Sequence, residues 1–424
     1  MNSISLRILP AIALLLVAAC GEQKVDTSQG SEASTDTTAA LVERAGAPLF
    51  DGMSDYEMPI TTQNADAQRY FNQGMVLAFA FNHAESIRSF RAAQTLDPSC
   101  AMCFWGEALA TGPNINVTSK GKVIMSAAER EAAFSALQQA LALKANATPR
   151  EQAYIEALAT RYNGQPETDR EPLDRAWAQA MGKVAKQYPE DMTAASIYAE
   201  SLMNTMPWNY WSDDGIAKPE TSAVIESLDR VLEAEPDHPL ALHLYIHALE
   251  ASNDPGRAEA AADRLANLVP GAGHLVHMPS HIYYRVGRYN DAALANQRAA
   301  DVDEAYIAAC NAQGFYPALY YPHNIHFLWS AATMQGQSAL SIESARRVVA
   351  NVRVEQVQAF PTVEFFRTVP LLSLVRFGRW DDILREPHPH EGFIFAKSVW
   401  HYARGVAFAA KGEGDLAKGE LDAL

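Results

Sequence analysis

The chain is punctuated at one fixed interval. Pro236 and Pro270 stand 34 residues apart, and so do Gly378 and Gly412. From about residue 65 onward apolar residues recur at spacings of three and four, interrupted by short Gly or Pro turns every 14 to 20 residues. A unit of that length is a helical hairpin, and a lone hairpin cannot bury its apolar face. Successive units therefore have to stack, and nothing in the pattern offers a strand framework. With 424 residues, 48% of them hydrophobic and 20% charged, the apolar material suffices for such a stack. The formal net charge of −16 argues against nucleic acid as a partner.

Within RYFNQGMVLAFAFNHAESIRSFRAAQTLDP, Gly74, Phe90, Ala93 and Pro98 fall at the offsets of a tetratricopeptide repeat, and the chain here resembles that family. VGRYNDAA around Gly287 is similar to the family's inter-helix turn. Weaker second helices follow Ala133, Leu137 and Ala140, and then Trp177, Met181 and Val184. The resemblance spans residues 65–424, about nine units, some degenerate. It implies an all-α fold, a right-handed superhelical solenoid whose first helices line a concave wall. Three insertions break the period: GPNINVTSK at 112–120, MPWNYWSDDG at 206–215 and CNAQGFYPALYY at 310–321. Loops of this kind commonly carry function. The last unit stops partway through its second helix without a polar cap, so either the chain is truncated or that face pairs.

Residues 1–20 carry one positive charge, Arg7, and an apolar run of secretory-signal length, too short to span a bilayer as a mature helix. Val17-Ala18-Ala19-Cys20 resembles a bacterial lipobox, which implies lipidation of Cys20 and attachment to a membrane. Gly21 stands where an inner-membrane retention signal would place Asp. The resemblance therefore implies an outer-membrane lipoprotein of the cell envelope; it does not specify the membrane face, for which the periplasmic side is our expectation. Residues 21–64 read as a flexible tether and lead-in, rich in Ser, Thr and acids up to about residue 45.

Seven of the 12 histidines fall between His243 and His326, where an even spread would place two or three. Counted from each unit's turn residue, His274 and His323 occupy position 2, His243, His277 and His326 position 5, and His247 and His281 position 9. Steps of three and four put them on one helical face. The family resemblance implies that this face looks into the groove. A single histidine is more often a packing or capping residue; a recurrent row points to a ligand set, and imidazole suits zinc or copper. Pro279 signals a helix start or kink within the His274, His277 and His281 trio. Glu250, Asp301, Asp303 and Glu304 are candidate acids that could serve such an ion. HLVHMPSH lacks the glutamate of a zinc-protease HExxH motif.

Cys100-Ala-Met-Cys103 opens a first helix, where the spacing allows a structural disulfide, a redox couple or a metal ligand pair. Phe104 replaces the histidine of a haem-attachment motif. Asn116-Val-Thr118 has sequon spacing that we take as chance. Tyr283, Tyr284, Tyr320, Tyr321 and Trp329 read mainly as inter-helix core, and Trp208 and Trp211 as edge packing or a lid. No phosphate loop or nucleophile elbow is present. Three functions fit: a binding protein with a metal ion or metal-dependent ligand in a histidine-lined groove, a metal-free scaffold taking a protein or peptide in that groove, or a metalloenzyme whose substrate the sequence does not reveal.

Overall fold

The computed structural model describes residues 38–116, 126–165, 169–312, 314–359 and 361–424. The signal segment with Cys20, the tether as far as residue 37, Thr118 of the sequon and residues 117–120 of the first insertion lie outside the described residues. Residues 1–44 and 45–424 form separate compact units. Of the first, residues 38–44 are described and are helical. Among the described residues no helix is long and apolar enough to cross a membrane.

The second unit is an all-α solenoid of stacked hairpins. In chain order, α1 (Ala65–Phe79) pairs with α2 (His83–Leu96), α3 (Ala101–Thr111) with α4 (Ala127–Leu143), α5 (Pro149–Leu158) with α6 (Arg170–Gln187), and α7 (Met192–Thr205) with α8 (Pro219–Ala234). Next come α9 (Pro239–Leu249) with α10 (Glu259–Leu265), α11 (Gly273–His277) and α12 (Pro279–Arg285) with α13 (Tyr289–Cys310), and α14 (Tyr321–Met334) with α15 (Ser338–Asn351). The stack ends with α16 (Val354–Ala359), α17 (Val369–Arg376) and α18 (Trp380–Arg385), then α19 (Ile394–Ala410) against α20 (Gly414–Ala423). The only β feature among the described residues is an isolated bridge between Trp211 and Ala217.

Local chemistry explains the boundaries. Ser126 with Glu129 and Thr148 with Glu151 form reciprocal capping boxes at the starts of α4 and α5. The fully buried Phe90 ring lies against Gly74 and Gly106, where a Cβ would come within 2.8 Å and 2.3 Å of it. Glycine at both places lets three helices close on one ring. Cys100 and Cys103 form a buried disulfide at the start of α3.

The solenoid also closes on itself. Residues 45–64 run along it as a strap: Ala47 O accepts from Tyr70 Oη at 2.6 Å, Tyr56 Oη meets Thr193 Oγ1 at 2.8 Å, and Gly52 O accepts from Gly271 N at 2.9 Å. A Cβ on Gly271 would lie 2.2 Å from Asp51 O, so that crossing requires glycine. The α1–α2 turn thereby reaches α9 and α11, more than 150 residues further on. Its tip, Phe81, is buried in left-handed backbone at φ 55°.

Candidate metal centre

Six of the seven histidines singled out in the sequence meet in the interior, in two trios: His243, His247 and His274, and His277, His281 and His323. Within each trio, one nitrogen of every ring lies within 4.8 Å of those of the other two. α9 supplies His243 and His247 one turn apart, α11 supplies His274 and His277, α12 supplies His281, and α14 supplies His323. Pro279 does not scatter them. α11 ends at His277, Met278 keeps helical backbone (φ −50°, ψ −41°), and Pro279 opens α12 at a first-turn position that needs no donor. The trios abut, with ring centroids 5.4 Å apart for His247 and His281 and 5.7 Å for His274 and His277.

Hydrogen bonds orient four of the rings. His243 Nδ1 donates to Phe79 O at 2.6 Å, and His277 Nδ1 to Asn296 Oδ1 at 2.5 Å. Asn296 is held in that orientation because its Nδ2 donates to Ala292 O at 2.7 Å. Glu250 lies between the trios, accepting from His247 Nδ1 at 3.1 Å and from His281 Nδ1 at 2.6 Å. A carbonyl or carboxylate on Nδ1 fixes the proton there and leaves Nε2 with a lone pair. His243 Nε2, His247 Nε2 and both nitrogens of His274 are buried without a hydrogen-bond partner among the described residues. His277 Nε2 and His281 Nε2 face each other at 2.9 Å. That separation is within hydrogen-bond distance, and it also suits two nitrogens approaching one ion side by side.

Burial disfavours protonation of His243, His247, His274, His277 and His323. Desolvation holds His243, His274 and His277 well below the ordinary imidazole range, and the neighbouring imidazoles add to the effect. Burial by itself would raise the Glu250 carboxyl; the imidazoles of His281 and His247 hold it below the usual carboxylate range.

The remaining candidates lie elsewhere. His326 stacks on Trp329 at 4.9 Å and meets Phe366, apart from both trios. Although its position-5 register matches His243 and His277, of the two histidines on α14 only His323 reaches the cluster. Asp303 is buried behind Gly273, accepting from Tyr316 Oη at 2.8 Å and Asn324 Nδ2 at 2.7 Å, and burial pushes it up to about 7. Asp301 and Glu304 form ion pairs with Arg347 on the outside of the stack. Of the four acids only Glu250 touches the histidines.

Sequence reasoning missed Phe81 and Asn296. Phe81 packs on His243 at 4.6 Å and on His274 at 5.4 Å between ring centroids, closing the inner wall from a turn far away in the chain. Asn296 carries no pattern of its own, because its role depends only on the ring it faces. Among the aromatics, Tyr320 packs edge-on to His274 at 4.8 Å, while Tyr283 donates to Asp263 and Tyr284 pairs with Ser330. Trp211 packs the edge, donating to Ala248 O at 2.8 Å, whereas Trp208 stands half exposed with its ring edge-on to His247 at 5.1 Å.

No family model and no curated protein matches the chain. Among solved structures it is similar to the human IFIT1 dimer with m7Gppp-AAAA at 14% identity, over 92% of this chain and 80% of that one, with a TM-score of 0.41. It is also similar to yeast Tom70 (12% identity, 84% of each chain, TM-score 0.28). A third likeness is to the TPR domain of P58(IPK), at 14% identity over 85% and 92% of the two chains with a TM-score of 0.21. These likenesses concern the helical-repeat fold alone.

Proposed function

We propose that the protein is a lipid-anchored, extracytoplasmic helical solenoid that binds transition-metal ions, one in each histidine trio. The observation that carries this reading is the orientation of the rings: four imidazoles have Nδ1 committed to an oxygen acceptor, which aims their Nε2 lone pairs inward. An all-imidazole donor set suits zinc or copper. Tetrahedral ligation at about 2.0–2.1 Å places nitrogens about 3.3 Å apart, so closing from 4.8 Å takes a shift of less than about 1 Å per ring. Three protein ligands per ion leave a fourth position open, the arrangement of catalytic rather than structural sites. That feature supports turnover at the centre as a second reading. A metal-free scaffold, the reading the fold class supplies, predicts partner binding that survives a chelator.

Elemental analysis of the purified protein tests the centre. We expect up to two ions per chain, loss of at least one in His277→Ala and His247→Ala, and unchanged content in His326→Ala. Equal metal in all four proteins would remove the metal reading. The anchor is tested separately, since a Cys20→Ser protein that still partitions with membranes would exclude lipidation as the attachment.

A further inference from the structure

The three insertions that interrupt the repeat meet over the imidazoles. Asn116 from the first, Trp208 from the second and Phe315 and Tyr320 from the third line a cavity of about 380 Å³. Its floor is His247, His274, His281 and His323. Two rings of each trio therefore face one space, with His243 and His277 behind them. The insertions are linked across the opening, where Asn116 Nδ2 donates to Tyr320 Oη at 3.2 Å. The remaining wall is mainly apolar, from Leu319, Val363 and Phe365, and among the described residues no Lys, Arg, Asp or Glu lines it. The volume falls at the small end of the small-ligand range of about 300–1,000 Å³.

We propose that this cavity binds a small molecule with an aromatic body and a single acidic oxygen, the phenol class, its ring among Trp208, Phe315 and Phe365 and its oxygen directed at the trios. The inference rests on the metal reading above. Cations held by imidazoles, with Glu250 as the one carboxylate in contact with those rings among the described residues, favour an anionic oxygen at the open positions. The apolar walls favour an aromatic body and penalise any second charge, which would be buried without a partner. A ligand that meets both conditions is apolar everywhere except at one oxygen.

The test uses the purified full chain loaded with cobalt(II), whose visible bands report both occupancy and a new ligand at the ion. Three probes separate the requirements: 1-naphthol has ring and oxygen, naphthalene has no oxygen, and tyrosine has a phenol with two further charges. We expect 1-naphthol to shift the bands saturably, naphthalene to leave them unshifted, and tyrosine to bind at least tenfold more weakly. Phe365 lines the cavity but, among the described residues, the rings it touches are those of His326 and Phe366. Phe365→Ala should keep the cobalt bands and weaken 1-naphthol severalfold, up to about tenfold. Bands indifferent to 1-naphthol, tyrosine binding as tightly as 1-naphthol, or Phe365→Ala without effect would each overturn this inference and leave the metal reading standing. Failure to take up cobalt would overturn both.

Discussion

Replacing Glu250 by glutamine keeps the shape of the side chain that joins the two trios and removes its ability to serve both. The carboxylate accepts one Nδ1–H from His247 and one from His281. A carboxamide has one accepting oxygen, and its NH2 group donates. Whichever ring meets the NH2 must present a bare Nδ1, so its proton moves to Nε2 and that nitrogen can no longer ligate. One trio therefore loses a ligand while the other keeps its geometry. Changes to groups that orient metal-bound imidazoles typically weaken affinity by about 10- to 100-fold. At 1.4 kcal/mol per decade, that is about 1.4–2.8 kcal/mol. Loss of the negative charge acts in the same direction. The assay is metal affinity by competition with a chelator of known strength, with stoichiometry read at limiting metal. We expect one of two ions to be weakened by at least tenfold in Glu250→Gln. Asp301→Asn, on the outer face beside Arg347, should behave as the parent protein. Unchanged affinity for both ions in Glu250→Gln would refute the argument that this carboxylate sets the tautomers.

Acid should unfold the metal-free protein early. His238 is buried and its imidazole is lowered to about 4 by desolvation; a depressed imidazole stabilises the fold above its ordinary value of about 6.5 and loses that contribution as pH falls toward 4. At pH 5 the loss is about 2 kcal/mol for this residue, and His243, His274 and His277 act in the same sense. The thermal midpoint of the metal-free protein should therefore drop steeply between pH 6.5 and 4, and a flat profile from pH 7 to 5 would count against neutral burial of these rings. Gly106→Ala should lower the thermal midpoint, because its Cβ would meet Phe90 at 2.3 Å and overpacking costs about 1–3 kcal/mol. A rise, as helix propensity alone would give, would show that the three-helix contact is not tight.

Much of the architecture is legible without coordinates. Gly74, Phe90 and Pro98 stand at repeat offsets because close helix crossing admits only glycine beside a large ring, and the structure places Phe90 against Gly74 and Gly106. Spacing put His243 with His247 and His277 with His281 on common faces, since residues three or four apart share one side of a helix. The same logic did not carry His326 to the trios, because that ring packs instead on Trp329 and Phe366, contacts that no local spacing records. It also overvalued Asp301, Asp303 and Glu304, which face Arg347, Tyr316 and Asn324.

The amino-acid order by itself determined the hairpins and the helical faces that carry imidazoles, because these depend on residues within one turn or one repeat of each other. Only the tertiary structure decided that the imidazoles divide into two trios joined by Glu250, that Phe81 closes the inner wall, and that three insertions meet around one cavity. Those features depend on rotations that accumulate over many repeats until the first hairpin meets the fifth and sixth. A small change per unit sums to a large displacement across the stack, and no local pattern records that sum.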